Sequence, residues 1–161
     1  MQVFCIANSF EAYRELLPLA LGWLLSVEEA TLTLGRELSP IELQDAQSVG
    51  VQQPEKIRIL TVDTIAQPED PLLLQAMAEI GMLTEGVAGR AIGYGVELAE
   101  GAESRKLLRH EFRHIYQFEQ AGSLANFVEI YVKSLLADGY ENSEFERDAR
   151  SFESFSETAT D

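Results

Sequence analysis

The first third of the chain carries apolar residues at helical spacing. Leu17, Leu21 and Leu24 recur along one helix face, and Pro18 predicts a kink among them. A second helical stretch is predicted from Val27 to Leu34, followed by Gly35 as a stop signal. The run Ser39-Pro40-Ile41-Glu42 is a capping box that predicts a third helix, through about Ser48. Residues 1–52 are therefore predicted to form a helical N-terminal region that packs on the same domain as the rest.

The pattern changes after residue 52. Alternation and β-branched residues predict a strand over Lys56–Val62, and Ala91–Leu98 reads as a second strand. Helical patterns with N-terminal caps and glycine stops cover four further stretches: Pro71–Ile80, Ser104–Gln120, Ser123–Ala137 and Ser143–Phe155. This order predicts an α+β fold with a small twisted sheet, a core over 53–155 and an acidic tail over 156–161.

Composition and charge narrow the possible partners and compartment. Of 161 residues, 27 are acidic and 12 are Lys or Arg, giving a net charge of −15 that repels nucleic acid. Cys5 is the single cysteine, so no intrachain disulfide forms, and a reducing cytoplasmic location is expected. The longest apolar run, Leu16–Val27, is shorter than the roughly 20 residues that span a bilayer. We therefore expect no membrane span.

The strongest chemical signal is an H-E-x-x-H motif inside the most regular helical pattern. His110 and His114 are the only histidines in the chain, and Glu111 follows the first of them. Residues four apart lie one turn above each other on a helix, so both imidazoles can reach one metal ion. Glu111 lies about 100° around the helix, where it can act on water beside the metal without binding the metal itself. One Zn²⁺ per chain is the cofactor that this pattern predicts.

The third metal ligand is not fixed by residue chemistry alone. Glu146 opens the last predicted helix, where its carboxylate could project towards a neighbouring helix or could close a capping box with Ser143. The two interpretations of Glu146 weigh about equally. The other downstream acids that could complete the site are Glu119, Glu129, Glu141 and Glu144.

The segments Leu107–His114 and Glu146-Arg147-Asp148-Ala149, with Gln117 and Gly139-Tyr140 between them, resemble the gluzincin clan of zinc metallopeptidases, and most closely its small, minimal-domain bacterial members. The resemblance spans roughly 56–152. It implies a zincin-like fold, with His110, His114 and Glu146 as zinc ligands on an active-site helix and a later glutamate helix. It implies Glu111 as general base and peptides or proteins as substrates.

The resemblance also suggests a substrate strand and an oxyanion donor. The strand before the active-site helix is the expected sheet edge for an extended substrate, with Gly93, Tyr94, Gly95 and Val96 as substrate-binding residues. Close packing of its glycines under a helix is an alternative explanation for them. Tyr140 is the expected oxyanion donor, with Tyr94 and Tyr116 as further candidates.

One position departs from the family pattern. Larger gluzincins often have an acid four residues after the third ligand, which supports one of the histidines. Here Arg150 stands at that position, and Asp148 is expected to give the support instead.

Two functions of different class follow from the sequence. The first is a zinc-dependent metallopeptidase. The second is a catalytically inactive zincin-fold module for binding or regulation. Retention of Glu111 favours the first, because a purely structural zinc site has no use for a general base. The N-terminal helices are expected to pack on the domain, to cover the cleft or to dock a protein partner.

Overall fold

The computed structural model describes residues 8–82 and 87–156. Cys5 and residues 157–161 of the predicted tail lie outside these ranges. Within them the chain forms a mixed α+β structure with seven helices and three strands. The helices are α1 (Asn8–Arg14), α2 (Leu17–Leu34), α3 (Pro40–Ser48), α4 (Pro71–Glu79), α5 (Arg105–Ala121), α6 (Leu124–Asp138) and α7 (Glu144–Ser151). The strands are β1 (Arg58–Val62), β2 (Gly89–Ile92) and β3 (Gly95–Ala99).

The predicted single strand over Ala91–Leu98 is wrong, because this segment is a β-hairpin. Gly93 and Tyr94 form its two-residue turn, and Gly93 has a φ of +58°, which tight hairpin turns require at their first position. The sheet order is β1-β3-β2, with β3 parallel to β1 and antiparallel to β2. The hairpin therefore makes β3 the central strand and β2 an edge strand.

Helices cover the sheet on both faces. On one face, Phe112 and Ile115 of α5 pack with Ile59, Val96 and Leu98 of the strands, and all five side chains are almost completely buried. On the other face, Leu24 of α2 and Leu124 of α6 pack against Ile92. The sheet consequently lies between α5 and α2, and β2 contacts α5 directly.

The predicted kink at Pro18 is also absent. The chain turns at residues 15–16 between α1 and α2, and Pro18 lies in the first turn of α2, where a missing N–H costs nothing. A single helix then continues to Leu34. By length and composition α2 is long and apolar enough to cross a membrane, although it carries Glu28 and Glu29 and packs on the sheet. The absence of a membrane span remains a prediction.

Ion pairs fix α5 between α3 and α7. Asp45 of α3 accepts hydrogen bonds from Arg105 at 2.7 and 3.0 Å and from Arg109 at 2.8 Å. Arg113 donates to Asp148 of α7 at 2.8 Å. Because these contacts lie along the same helix as the H-E-x-x-H motif, they hold that motif at a defined position relative to α7.

Candidate metal centre

Helix α5 brings the two histidines together as their spacing predicts. Ser104 caps its start by accepting from the Leu107 N–H, and Gly122 ends it in the left-handed region with a φ of +88°. The Nε2 atoms of His110 and His114 lie 3.2 Å apart, one turn above each other. Both atoms face the same space beside α7.

Glu146 joins this pair instead of capping its own helix. The Ser143 side chain makes no capping hydrogen bond and contacts the Ser134 hydroxyl at 2.9 Å, so the capping box does not form. Glu146 as a whole residue is 2 % exposed. Its Oε2 lies 3.2 Å from His110 Nε2, and its Oε1 lies 3.2 Å from His114 Nε2. His110, His114 and Glu146 thus form a group that could hold a metal ion.

The outer nitrogen of each imidazole has an acceptor beside it. His110 Nδ1 lies 2.9 Å from Glu153 Oε1, and His114 Nδ1 lies 2.8 Å from Gln117 Oε1. The Gln117 amide nitrogen donates to the Phe145 carbonyl and to Asp148, which fixes its oxygen towards His114. With a proton on each Nδ1, each Nε2 offers a lone pair to the centre of the group.

The two carboxylate oxygens of Glu146 differ in the hydrogen bonds that they accept. Tyr131 donates its hydroxyl to Glu146 Oε1 at 2.7 Å, whereas the buried Oε2 of Glu146 receives no hydrogen bond. Zn–N and Zn–O distances of about 2.0–2.1 Å place tetrahedral ligands about 3.3–3.4 Å apart. The 3.2 Å separation of the two Nε2 atoms is close to that edge length, and each Nε2 has a different oxygen of Glu146 at 3.2 Å. The donor set and the orphaned oxygen therefore fit a cation such as Zn²⁺.

The electrostatics of the group also favour a positive charge at its centre. Burial alone would lower the pKa of His114, but the Glu146 and Glu111 carboxylates outweigh it and raise that pKa to about 9. Burial opposes ionisation of Glu146, but the two imidazoles beside its carboxylate hold its pKa far below the usual range.

Glu111 lies beside this group without belonging to it. It is 5 % exposed and lines the same cavity as His110, His114 and Glu146. Burial raises the pKa of its carboxyl, while the two histidines and the Ala91 backbone N–H act in the opposite direction. A carboxylate in this position can accept a proton from water within the cavity.

The three candidate tyrosines lie in different places. Tyr140 lines the cavity, and burial together with the Glu146 charge raises the pKa of its phenol. Tyr94 is in the hairpin turn and donates to Glu119 at 2.9 Å, and Tyr116 stacks on Arg113. Neither Tyr94 nor Tyr116 lines the cavity.

The remaining acids have other partners or are exposed. Glu119 accepts from the backbone N–H groups of Gln52 and Gln53, and Glu129 pairs with Lys133 on the surface. Glu141 and Glu144 are exposed. Among the residues that the structure describes, none of these four acids belongs to the group of His110, His114 and Glu146 that could hold a metal ion.

The partners of the histidines were not apparent from the sequence. The expectation that Asp148 supports a histidine directly is wrong, because Asp148 binds Gln117 and Arg113. Glu153 and Gln117 fill that role, and Tyr131 supports Glu146. Gln117, three residues after His114, offered the clearest sequence signal, since helical spacing places it on the same face.

The expected substrate-binding strand also needs correction. Gly95 and Val96 lie in the central strand, whose two edges already pair with β1 and β2, while Gly93 and Tyr94 form the turn. A Cβ on Gly95 would meet the Thr31 side chain at 3.0 Å, so this glycine allows α2 to pack closely. None of these four residues can offer a free strand edge.

The edge that borders the cavity belongs to β2. The Ala99 N–H donates to the Ala88 carbonyl at 2.8 Å. Because antiparallel pairs alternate, the backbone groups of Gly89 and Ala91 point away from β3. Both residues line the cavity beside Glu111. We call His110, His114 and Glu146 together the metal group. A peptide backbone that reached the metal group would meet this edge.

Comparisons of the chain with protein-family models, with curated proteins and with solved structures return no match.

Proposed function

We propose that this protein is a zinc-dependent hydrolase, a metallopeptidase of the gluzincin type. The observation that carries the proposal is that ligand atoms of His110, His114 and Glu146 lie within 4.8 Å of one another, and that the buried Oε2 of Glu146 has no hydrogen-bond donor. Two histidines and one carboxylate are a ligand set that catalytic zinc sites use, with a fourth position left for water.

The residues around the cavity have two kinds of role in metal binding: some would bind the metal and others orient those ligands. His110, His114 and Glu146 would hold the metal, and Glu153, Gln117 and Tyr131 orient these ligands.

A bound zinc ion supplies Lewis acidity, which polarises a carbonyl and makes water a better nucleophile. Glu111 takes a proton from the attacking water and returns it to the leaving nitrogen. Tyr140 keeps its phenolic proton at neutral pH and would donate a hydrogen bond to the developing oxyanion.

The edge strand suggests how a peptide is held. Gly89 offers its outward N–H and carbonyl groups and Ala91 its carbonyl, while the Ala91 N–H already faces Glu111. An extended peptide paired to this edge would present its carbonyl groups to the metal group. This arrangement favours peptides over small soluble amides, because main-chain pairing needs an extended backbone.

The test joins metal content with cleavage. Purified protein is loaded with zinc, its metal content is measured by mass spectrometry, and a mixed peptide library is incubated with wild type and with Glu111→Gln. We expect one zinc per chain in both proteins and cleavage by wild type only, with a loss of about 10²- to 10⁴-fold in Glu111→Gln. A folded wild type that binds no zinc contradicts the proposal. So does cleavage that Glu111→Gln retains in full.

A further inference from the structure

The metal group forms one wall of a partly enclosed cavity of about 160 Å³. The other walls come from α2, α4, α6 and β2. Ala20 and Leu24 on α2, Met77 on α4 and Phe127 on α6 are among the side chains that line it. Apart from the metal ligands and Glu111, Arg90 is the only charged residue in the lining that the structure describes.

The positive charge of Arg90 is compensated by Glu97, so it adds little polarity to the cavity. Its terminal guanidinium nitrogen donates to Glu97 at 2.6 Å and to the Ala66 carbonyl at 2.7 Å, and the guanidinium lies over the Trp23 ring, while the buried Nε–H has no hydrogen-bond partner among the described residues. A cation with this pairing gives little attraction for an additional carboxylate. An acidic group would also meet Glu111 and Glu146, which lie at the metal end of the cavity.

The size of the cavity indicates its occupant. An apolar cavity of about 150 Å³ holds a benzene molecule. The present cavity is of the same size, and it is continuous with the metal group. A cavity of this size and lining suits an apolar group with the bulk of a leucine or phenylalanine side chain.

We infer that this cavity is a specificity pocket that receives a leucine- or phenylalanine-sized apolar side chain of the substrate, next to the bond that is cleaved. The inference rests on the proposed hydrolase function. It also gives α2 and α4 a definite role, since these helices outside the H-E-x-x-H segment supply the far wall. The N-terminal helical region then completes the substrate site and does not merely cover it.

Binding to the pocket can be tested without metal or catalysis. Toluene is added to metal-free protein, with glutarate as an acidic comparison, and thermal unfolding and ¹³C-methyl spectra of the methionines are recorded. We expect toluene, but not glutarate, to raise the unfolding temperature and to shift the methyl signal of Met77 saturably. Ala20→Phe fills the pocket and should abolish both responses, whereas Ala30→Phe, an exposed change on the same helix, should keep them.

If Ala20→Phe does not fold, the response of the Met77 methyl signal in the wild-type protein still tests the inference. A wild-type Met77 signal that toluene leaves unmoved overturns the inference. A folded Ala20→Phe variant that responds to toluene like the wild type overturns it as well.

Cleavage then separates the inference from the proposed function. Zinc-loaded wild type should prefer peptides with Leu or Phe over those with Asp beside the cleaved bond by about 10- to 100-fold in kcat/KM, as expected for burial of one such side chain. Cleavage without this preference overturns the pocket and leaves the hydrolase intact. Toluene binding with no cleavage of any peptide overturns the hydrolase and leaves an apolar binding pocket.

Discussion

Glu153 and His110 are joined by a contact of 2.9 Å between a carboxylate oxygen and the outer ring nitrogen of the imidazole. Glu153 follows the end of α7, seven residues after Glu146, so one short segment supplies both a candidate metal ligand and the support of another candidate ligand. This contact holds the His110 ring in the orientation that directs Nε2 at Glu146. Such partners of metal-bound histidines strengthen binding by fixing the tautomer and ring position.

Loss of this partner should weaken metal binding without abolishing it. We expect Glu153→Gln to lower zinc affinity by about 10- to 100-fold, measured by competition with a chromophoric chelator. Glu141→Gln, a change at an exposed acid, is the control and should bind zinc like wild type. Equal affinities in all three proteins would show that Glu153 does not support His110.

Removal of a ligand should have a larger effect. We expect His114→Ala and Glu146→Ala to lose stoichiometric zinc while keeping wild-type circular dichroism, because two remaining ligands hold the ion poorly. Glu129→Ala removes a surface acid that pairs with Lys133, and it should keep one zinc per chain. A folded Glu146→Ala variant with full zinc content would exclude Glu146 as the third ligand.

The two tyrosines near Glu146 should differ in their effects. Tyr140→Phe is expected to lower kcat by about 10²- to 10³-fold with zinc content and KM nearly unchanged, since it removes an oxyanion donor. Tyr131→Phe takes away the hydrogen bond to Glu146 Oε1, so its main effect should be weaker zinc binding. Steady-state kinetics beside zinc titration separates the two roles, and an unchanged kcat in Tyr140→Phe would contradict the assignment.

The buried ion pairs of Asp45 should make stability depend on pH. Burial opposes ionisation of this carboxyl, but Arg105 and Arg109 outweigh it and lower its pKa in the folded state. The stabilisation is therefore present at neutral pH and is lost as the pH falls below about 4, where the unfolded chain takes up the proton first. Urea unfolding should show this loss.

Replacement of Asp45 provides the control for that pH dependence. We expect Asp45→Asn to cost about 3 kcal/mol at pH 7, because it leaves the Arg109 charge buried without its partner. The variant should also lose less stability on acidification than wild type. Asp63→Asn, at an exposed position, should match wild type throughout. Parallel acid profiles for Asp45→Asn and wild type would contradict this role of Asp45.

Two glycines test the packing of α2 on the sheet. Gly95→Ala should destabilise the fold by about 1–3 kcal/mol, because the added Cβ would meet Thr31 of α2 at 3.0 Å. Gly22→Ala, within α2 itself, meets nothing within 4 Å and should stabilise by about 0.5–1 kcal/mol. Chemical denaturation measures both changes, and a neutral Gly95→Ala would show that α2 packs less closely than described.

Much of the fold and part of the metal group could be predicted from the sequence, because their signals are local. Capping residues and glycine stops gave the start and end of α5, and the helical spacing of four put His110 and His114 on one face. The same kind of signal predicted α3 from its capping box, which the structure contains. The hairpin was missed because a two-residue turn with Gly93 interrupts an apolar run that otherwise resembles one strand.

The sequence by itself determined the helix that carries the two histidines and Glu111, since hydrogen bonding and side-chain spacing along one helix depend only on nearby residues. The tertiary structure alone decided that Glu146 turns away from its own helix end, that Glu153 and Gln117 support the histidines, and that α2 closes the apolar cavity. Each of these contacts depends on which helices pack together. That packing is set by burial against the sheet and by the ion pairs of α5, which link residues 35–64 positions apart in the chain.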